Sequence, residues 1–372
     1  MEFSGTSPDT DSPTNTSDSS SSSLAVQLTL RLLQSDDPSS NIKAAKEIRR
    51  LTKTSSKSRR HLSLAIQPLV RMLTSNCLVS NESALLALLN LAVKDEKNKV
   101  SIVNAGALGP IVSFLRSNNL TLQEHATASL LTLSASTTNK PIIGSSGAIP
   151  LLVQTLGHEI SQTKADALMA LYNLSTHSET LRDSILEANP IPYIVNMLKR
   201  SKKSSKTAEK CTALLESLVA TEPGRIMLTS EEGGVLSVVE VLESGSVLGR
   251  EHAVGTLLTM CESDRCKYRE PILREGVIPG LLELTVQGGE KSQGKAQRLL
   301  RLLRASTNPR SEFEPDTLEN IVYNIISGIG NEEQCGKAKQ MLAEMVQVSM
   351  EQSLRHLEKR AAPAIASCAS SK

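Results

Sequence analysis

The chain of 372 residues carries 41 Lys and Arg against 39 Asp and Glu, a formal net charge of +2, which excludes bulk attraction to a polyanion as its mode of action. It has no Trp, three Phe and four Tyr, so its core must be built from Leu, Ile, Val and Ala. That mixture suits helices packed on helices and argues against an aromatic-rich sandwich of strands.

Residues 1–23, "MEFSGTSPDTDSPTNTSDSSSSS", contain Glu2, Asp9, Asp11 and Asp18 and no basic residue. With almost nothing apolar to bury, this tail is expected to be disordered. Ser7-Pro8 and Ser12-Pro13 have the form of proline-directed phosphorylation sites. A basic run follows, with nine Lys or Arg between Ile42 and Arg71 against Glu47 alone, onto which the acidic tail is expected to fold back.

From Leu24 onward a ten-residue block returns. "LAVQLTLRLL" (24) is followed by "LAIQPLVRML" (64), "GALGPIVSFL" (106), "GAIPLLVQTL" (147), "NPIPYIVNML" (189), "GGVLSVVEVL" (233), "GVIPGLLELT" (276) and a weaker "LENIVYNIIS" (318). The starts lie 40, 42, 41, 42, 44, 43 and 42 residues apart, a period that indicates a helical solenoid. Gly106, Gly147, Asn189, Gly233 and Gly276 head five of the blocks and suit a left-handed corner that ends a short helix. Pro110, Pro150, Pro192 and Pro279 suit the first turn of the next helix, where the missing N–H costs nothing. Each unit is therefore predicted as a short helix, a sharp corner and two longer helices.

A second block follows each first one, as in "SALLALLNLA" (83), "HATASLLTLS" (125), "DALMALYNLS" (166), "KCTALLESLV" (210), "HAVGTLLTMC" (252), "KAQRLLRLLR" (295) and "KAKQMLAEMV" (337). With Asn90 as the reference site of its block, apolar or small residues recur six before, two before and one after it, as in Ala84, Leu88 and Leu91. These offsets share one helical face, the predicted core.

This period and these blocks resemble the armadillo repeat. The "GAIPLLV" corner, the "ALLNL" and "ALYNL" helices and "KAQRLLRLLR" most resemble the armadillo regions of plant U-box proteins. The resemblance implies an all-α, right-handed armadillo superhelix of about seven to eight three-helix repeats over residues 24–346, whose third helices line a concave groove. Residues 347–372 are expected to continue a C-terminal capping helix from the degraded last copy and then a disordered end.

By resemblance the groove stripe is the reference site with the residues four and seven before it, a helix side distinct from the leucine face. In the five middle copies this gives Ser83, Leu86 and Asn90; His125, Ala128 and Thr132; Asp166, Met169 and Asn173; Lys210, Ala213 and Ser217; and His252, Gly255 and Thr259. Asn90 and Asn173 can offer a donor and an acceptor to a peptide group, or can instead tie neighbouring repeats together.

The resemblance implies a non-catalytic scaffold or adaptor that binds a protein or peptide partner in the groove, within plant ubiquitination or signalling, an E3 ligase or kinase component being the partner class. Two alternatives stay open: a nucleocytoplasmic transport adaptor, and an acidic-lipid or nucleic-acid binder acting through the basic first repeats. Importin-alpha-like relatives carry Trp four residues before the reference Asn, where this chain has Leu86, Ala128, Met169, Ala213 and Gly255. Only 23 residues precede Leu24, too few for the Cys-Pro-containing module of a U-box ligase.

No catalytic, cofactor or metal site is expected, and no small-molecule substrate. "GEKSQGKA" (289) has phosphate-loop spacing, but Ala296 replaces the Mg²⁺-binding hydroxyl and an apolar helix precedes it, so an inter-helix loop is predicted. Cys261 and Cys266 with His252 lack a second ligand pair. "KRSKKSSK" (199) reads as a nuclear-localisation-like run or as a solvated loop between second and third helices. Cysteines at 77, 211, 261, 266, 335 and 368 make no disulfide framework and point to a reducing compartment. No apolar run is long enough to span a membrane, and neither a signal peptide nor a lipidation motif is present, so a cytoplasmic or nuclear location is expected.

Overall fold

A computed structural model describes residues 17–304. The tail before Ser17, the weak copy at 318, the block at 337, and the expected cap and end at 347–372 lie outside the described residues. The chain divides into two compact units after Ala188. A repeat array has no single central core.

The first unit begins with α1 (Ser17–Leu33) and α2 (Pro38–Thr52). The helix α1 thus starts inside the segment expected to be a disordered tail: Ser17 to Ser23 extend the helix of the first apolar block. Next come α3 (Ser56–His61), a 3₁₀ turn (Leu62–Ala65), α4 (Ile66–Met72) and α5 (Leu78–Ala92). The third triplet is α6 (Glu96–Asn104), α7 (Leu108–Leu115) and α8 (Leu120–Ser134). The fourth is α9 (Lys140–Ser145), α10 (Ala148–Thr155) and α11 (Ser161–Ser175), and α12 (Glu179–Glu187) closes the unit.

The second unit holds α13 (Ile191–Arg200) and α14 (Lys206–Leu218), then α15 (Glu222–Ser230), α16 (Gly234–Ser244) and α17 (Val247–Ser263). It continues with α18 (Arg265–Arg274), α19 (Ile278–Gln287) and α20 (Glu290–Arg304). Among the described residues there is no strand. The fold is an armadillo-type helical solenoid.

The corners form as the glycines require. Gly106, Gly147, Gly233 and Gly276 sit at φ 88°, 79°, 69° and 77°, and Asn189 takes the same role at 55°. A residue with a Cβ is strained there, which is why Gly, or Asn with its short polar side chain, ends the first helix. The second repeat has no such glycine, and its corner is the 3₁₀ turn from Leu62 to Ala65 instead. Side-chain caps start many helices: Asp37, Ser55, Asp95, Asn119, Ser178, Ser205, Ser246 and Asp264 each accept a backbone N–H, a device worth about 1 kcal/mol each.

One expectation on length needs correcting. Only the third helix of a triplet is consistently long, at 13 to 17 residues in α5, α8, α11, α14 and α17. The second helix exceeds the first only slightly, 8 residues in α10 against 6 in α9 and 11 in α16 against 9 in α15, while α7 with 8 falls short of α6 with 9. A second helix ends where its two turns of apolar contact run out.

The core follows the predicted face. Ala84 and Leu91 are 0% exposed, and so are Ala126 and Leu130, Ala167, Leu171 and Leu174, Cys211, Leu215 and Leu218, and Ala253, Leu257 and Met260. These faces bury against one another as third helices pack side by side: α2, α5, α8 and α11 in the first unit and α14, α17 and α20 in the second. Full burial of one such leucine contributes about 1.5–3 kcal/mol.

Candidate protein-binding surface

Beside that buried face each third helix keeps a second, half-exposed one. In the first unit Asn90, His125, Thr132, Met169 and Asn173 are half-buried, and Ser83 and Asp166 are buried but not sealed, at 7% and 9% exposed. In the second unit Lys210, Ser217, His252 and Thr259 are half-buried. Each set therefore forms the rim of its own stack of third helices.

The two asparagines are committed to neighbouring repeats through their amide nitrogens. Asn90 Nδ2 donates to the Arg49 carbonyl at 3.0 Å, and Asn173 Nδ2 donates to Ser134 Oγ at 3.1 Å and to the Leu131 carbonyl at 3.5 Å. Arg49 and Leu131 hold equivalent places, one residue before the reference site of the preceding repeat. Thr132 Oγ1 turns back to the Ala128 carbonyl within its own helix, and Gln162 Nε2 donates to Asp166 Oδ1 at 2.8 Å.

A second device recurs that block patterning did not single out. The last carbonyls of a third helix lack intrahelical partners, and a long side chain from the following first helix supplies them. Arg59 donates to the carbonyls of Thr52 and Lys53, Asn98 to Leu91, Asn139 to Leu133, Arg182 to Ser175, and Arg225 to Val219 and Ala220. Asn98 and Asn139 also reach back to the carbonyls of Arg59 and Lys99 in the preceding repeat, at 3.1 Å in both cases. A polar residue five to seven positions after the end of the leucine block is the signal that could have found them.

Electrostatics differ between the units. His125 lies in the first, its Nδ1 buried without a hydrogen-bond partner among the described residues. Burial pushes its imidazole below the ordinary value and Arg49 acts the same way, while Glu82 and Glu124 oppose them. In the second unit Glu216 spans three third helices, its Oε2 at 2.7 Å from His252 Nδ1 and its Oε1 at 2.8 Å from Lys295 Nζ. Burial pushes the Glu216 carboxyl up, but the hydrogen bonds and charges of His252 and Lys295 outweigh it and hold the group below the ordinary carboxylate range. A Cβ on Gly255 would lie 1.8 Å from Glu216 Oε1, so the bare backbone of α17 is what lets this bridge cross. His252 belongs to the predicted stripe and Lys295 holds the same place in the next block, while Glu216 lies one residue before the reference site Ser217.

The motifs with chemical look-alikes resolve into structure. "GEKSQGKA" is not the predicted loop: α20 begins at Glu290, and Ser292 and Ala296 lie four apart on its buried face. Burial pushes the Cys261 thiol up to about 11 and the Cys211 thiol up to about 12, values that suit core packing and not nucleophilic attack. Among the described residues no group of three or more His, Cys, Asp or Glu gathers as a metal site would require. No helix among them is long and apolar enough to cross a membrane. The run from Lys199 to Lys206 does span the loop between α13 and α14. There Lys203 pairs with Glu240 at 3.0 Å and Lys199 donates to the Glu232 carbonyl at 2.7 Å.

With this geometry in view, the similarities of the chain are informative. The family model for the plant U-box protein ARM repeat region matches residues 25–319. U-box domain-containing protein 45 of Arabidopsis thaliana is 33% identical over 247 residues, covering 64% of this chain and 31% of that protein. The chain thus spans about a third of the length of that relative. Among solved structures, an engineered protein superposes with a TM-score of 0.69 at 21% identity, covering 75% of this chain and 68% of its own. A computationally designed armadillo repeat protein for modular peptide recognition superposes with a TM-score of 0.51 at 18% identity, over 74% of this chain and 99% of its own. These two share the fold.

Proposed function

Because the chain belongs to the plant U-box protein ARM repeat family, we propose that it is a non-catalytic interaction scaffold that binds an extended segment of a partner protein along its third helices. The observation that carries this reading is the division of each third helix into a sealed leucine face and an adjoining half-buried face of small and polar residues. Such a face can take a peptide backbone closely, and its amide and hydroxyl oxygens can accept from peptide N–H groups at about 0.5–1.5 kcal/mol net each. In the first unit Ser83, Asn90, His125, Thr132, Asp166, Met169 and Asn173 would line that path. In the second, Lys210, Ser217, His252 and Thr259 would do so, with the Glu216 bridge as a fixed feature beside them. A partner in plant ubiquitination or signalling, such as an E3 ligase or kinase component, and a cytoplasmic or nuclear setting accord with the family.

Selection of peptides from a displayed random library on the intact protein tests the reading. Binders should be lost when Thr132→Arg and Met169→Arg together fill the path, with the melting curve unchanged. Binders that survive this double substitution would place recognition elsewhere.

A further inference from the structure

In the first unit one third helix stands apart from the other three; in the second, the basic stripe residues of α20, Lys295 and Arg298, are paired with Glu216 and Glu262. Placing the buried Ala44, Ala45 and Ile48 of α2 in register with Ala84, Leu85 and Leu88 of α5 puts Lys43, Lys46 and Arg50 at the three stripe positions. The register is confirmed independently by the equivalent carbonyls of Arg49 and Leu131 that Asn90 and Asn173 engage. All three stripe residues are exposed, and Arg49 and Lys53 beside them are exposed as well. The corresponding positions of α5 and α11 hold Ser83, Leu86 and Asn90, and Asp166, Met169 and Asn173.

Local needs do not account for this concentration. Basic residues in the last turn complement the helix dipole, which explains Arg49 and Arg50. Lys43 and Lys46 lie before that turn. Like charges three and four apart on one helix repel, so Lys43 with Lys46 and Lys46 with Arg50 cost α2 stability. Only Glu47 answers them from within the helix, and it is fully engaged by Arg50, with bonds of 2.8 Å to Nε and 2.6 Å to Nη2; the N-cap Asp37 attracts Lys43 but spends its carboxylate on Ser39 and Ser40. The other acids that share an electrostatic neighbourhood with Arg49 around His125, Glu82 and Glu124, sit on α5 and α8.

Resting on the groove reading above, we propose that the stripe of α2 is a docking subsite for an acidic segment of the partner, whose carboxylates or phosphates meet Lys43 and Lys46. Lys43 and Lys46 lie one turn apart on one side of α2, about 5–6 Å between Cβ atoms, so the acidic groups of a single crossing segment can meet both. The flanking neutral stripe of α5 then takes the continuing backbone. A charged row beside a narrow path of small side chains fits a single extended chain better than a flat membrane surface or a duplex.

Fluorescence anisotropy of the full chain with labelled peptides of about ten residues, alternating Glu with Ser, Gly with Ser or Lys with Ser, tests this subsite. The Glu peptide should bind at least about tenfold more tightly than the Gly peptide at low salt, with the gap closing as salt rises. The double substitution Lys43→Glu, Lys46→Glu should remove at least about tenfold of that affinity while leaving the circular dichroism melt in place. Equal binding of Glu and Gly peptides, both lost on Thr132→Arg, overturns the acidic subsite and leaves the groove reading standing. Failure of every peptide to bind overturns both. Phosphatidylserine vesicles or a single-stranded oligonucleotide displacing the Glu peptide at lower concentration than unlabelled peptide also overturns the assignment.

Discussion

Replacing Leu171 by Asp puts a charge into the sealed face of a third helix. Leu171 is 0% exposed, as are Ala167, Leu168, Ala170 and Leu174 around it on α11. Truncation of such a leucine alone costs about 2–5 kcal/mol, from lost transfer energy and the residual cavity. The aspartate adds the burial of a carboxylate, which either remains charged or is protonated far above its ordinary range, a further cost of several kcal/mol. The α8–α11 interface cannot hold against that sum. A loss of about 4 kcal/mol or more raises the population of opened α11 roughly a thousandfold. Because repeats depend chiefly on their neighbours, the effect should centre on the third and fourth triplets. Hydrogen exchange read by mass spectrometry resolves it: amides of α8 and α11 should exchange about three orders of magnitude faster, with Gln154→Asp on the exposed side of α10 as control. Parent-like protection in α11 would show that the leucine face is not the core.

Other consequences follow from individual contacts. Gly147→Ala should cost about 1–2 kcal/mol because φ is 79° while nothing crowds the added methyl. Gly109→Ala, equally uncrowded but inside α7, should be neutral or stabilise by up to about 1 kcal/mol, and paired urea melts compare the two directly. Removing the carbonyl cap with Arg182→Ala or Arg225→Ala should lower stability by about 1–2 kcal/mol each, seen as earlier unfolding in chemical melts. The Glu216 carboxyl is held below its unfolded value near 4.5, so its contribution is present above that pH and fades as pH falls through the folded value. Glu216→Gln should therefore cost stability at pH 7 and narrow the gap to the parent in acid; a gap that widens on acidification would contradict the His252 and Lys295 contacts.

Much of this architecture is legible in the amino-acid sequence. A period near 42 residues, left-handed corners at glycine, and leucines offset by four and three are local or short-range features. Backbone sterics and helix geometry dictate them wherever they occur. The same logic located the core face to the residue and put Asn90, Asn173 and His252 on the adjoining one. It failed where a local pattern had two outcomes. "GEKSQGKA" has glycines that permit a loop, yet burial of Ser292 and Ala296 carries it into α20. The serine-rich approach to Leu24 is polar enough for a coil, yet α1 extends back to Ser17.

What only the tertiary structure decided is which polar groups meet across repeats. The Asn90 amide finds the Arg49 carbonyl some forty residues away, and Glu216 joins His252 to Lys295 over a glycine. Neither pairing follows from periodicity, because a period sets the face on which a side chain lies but not how long polar groups share partners between helices. Those pairings depend on the rotation and spacing of packed helices, set by the summed volumes of the side chains buried between them. The amino-acid sequence determines the brick; the stacking determines what its open face presents.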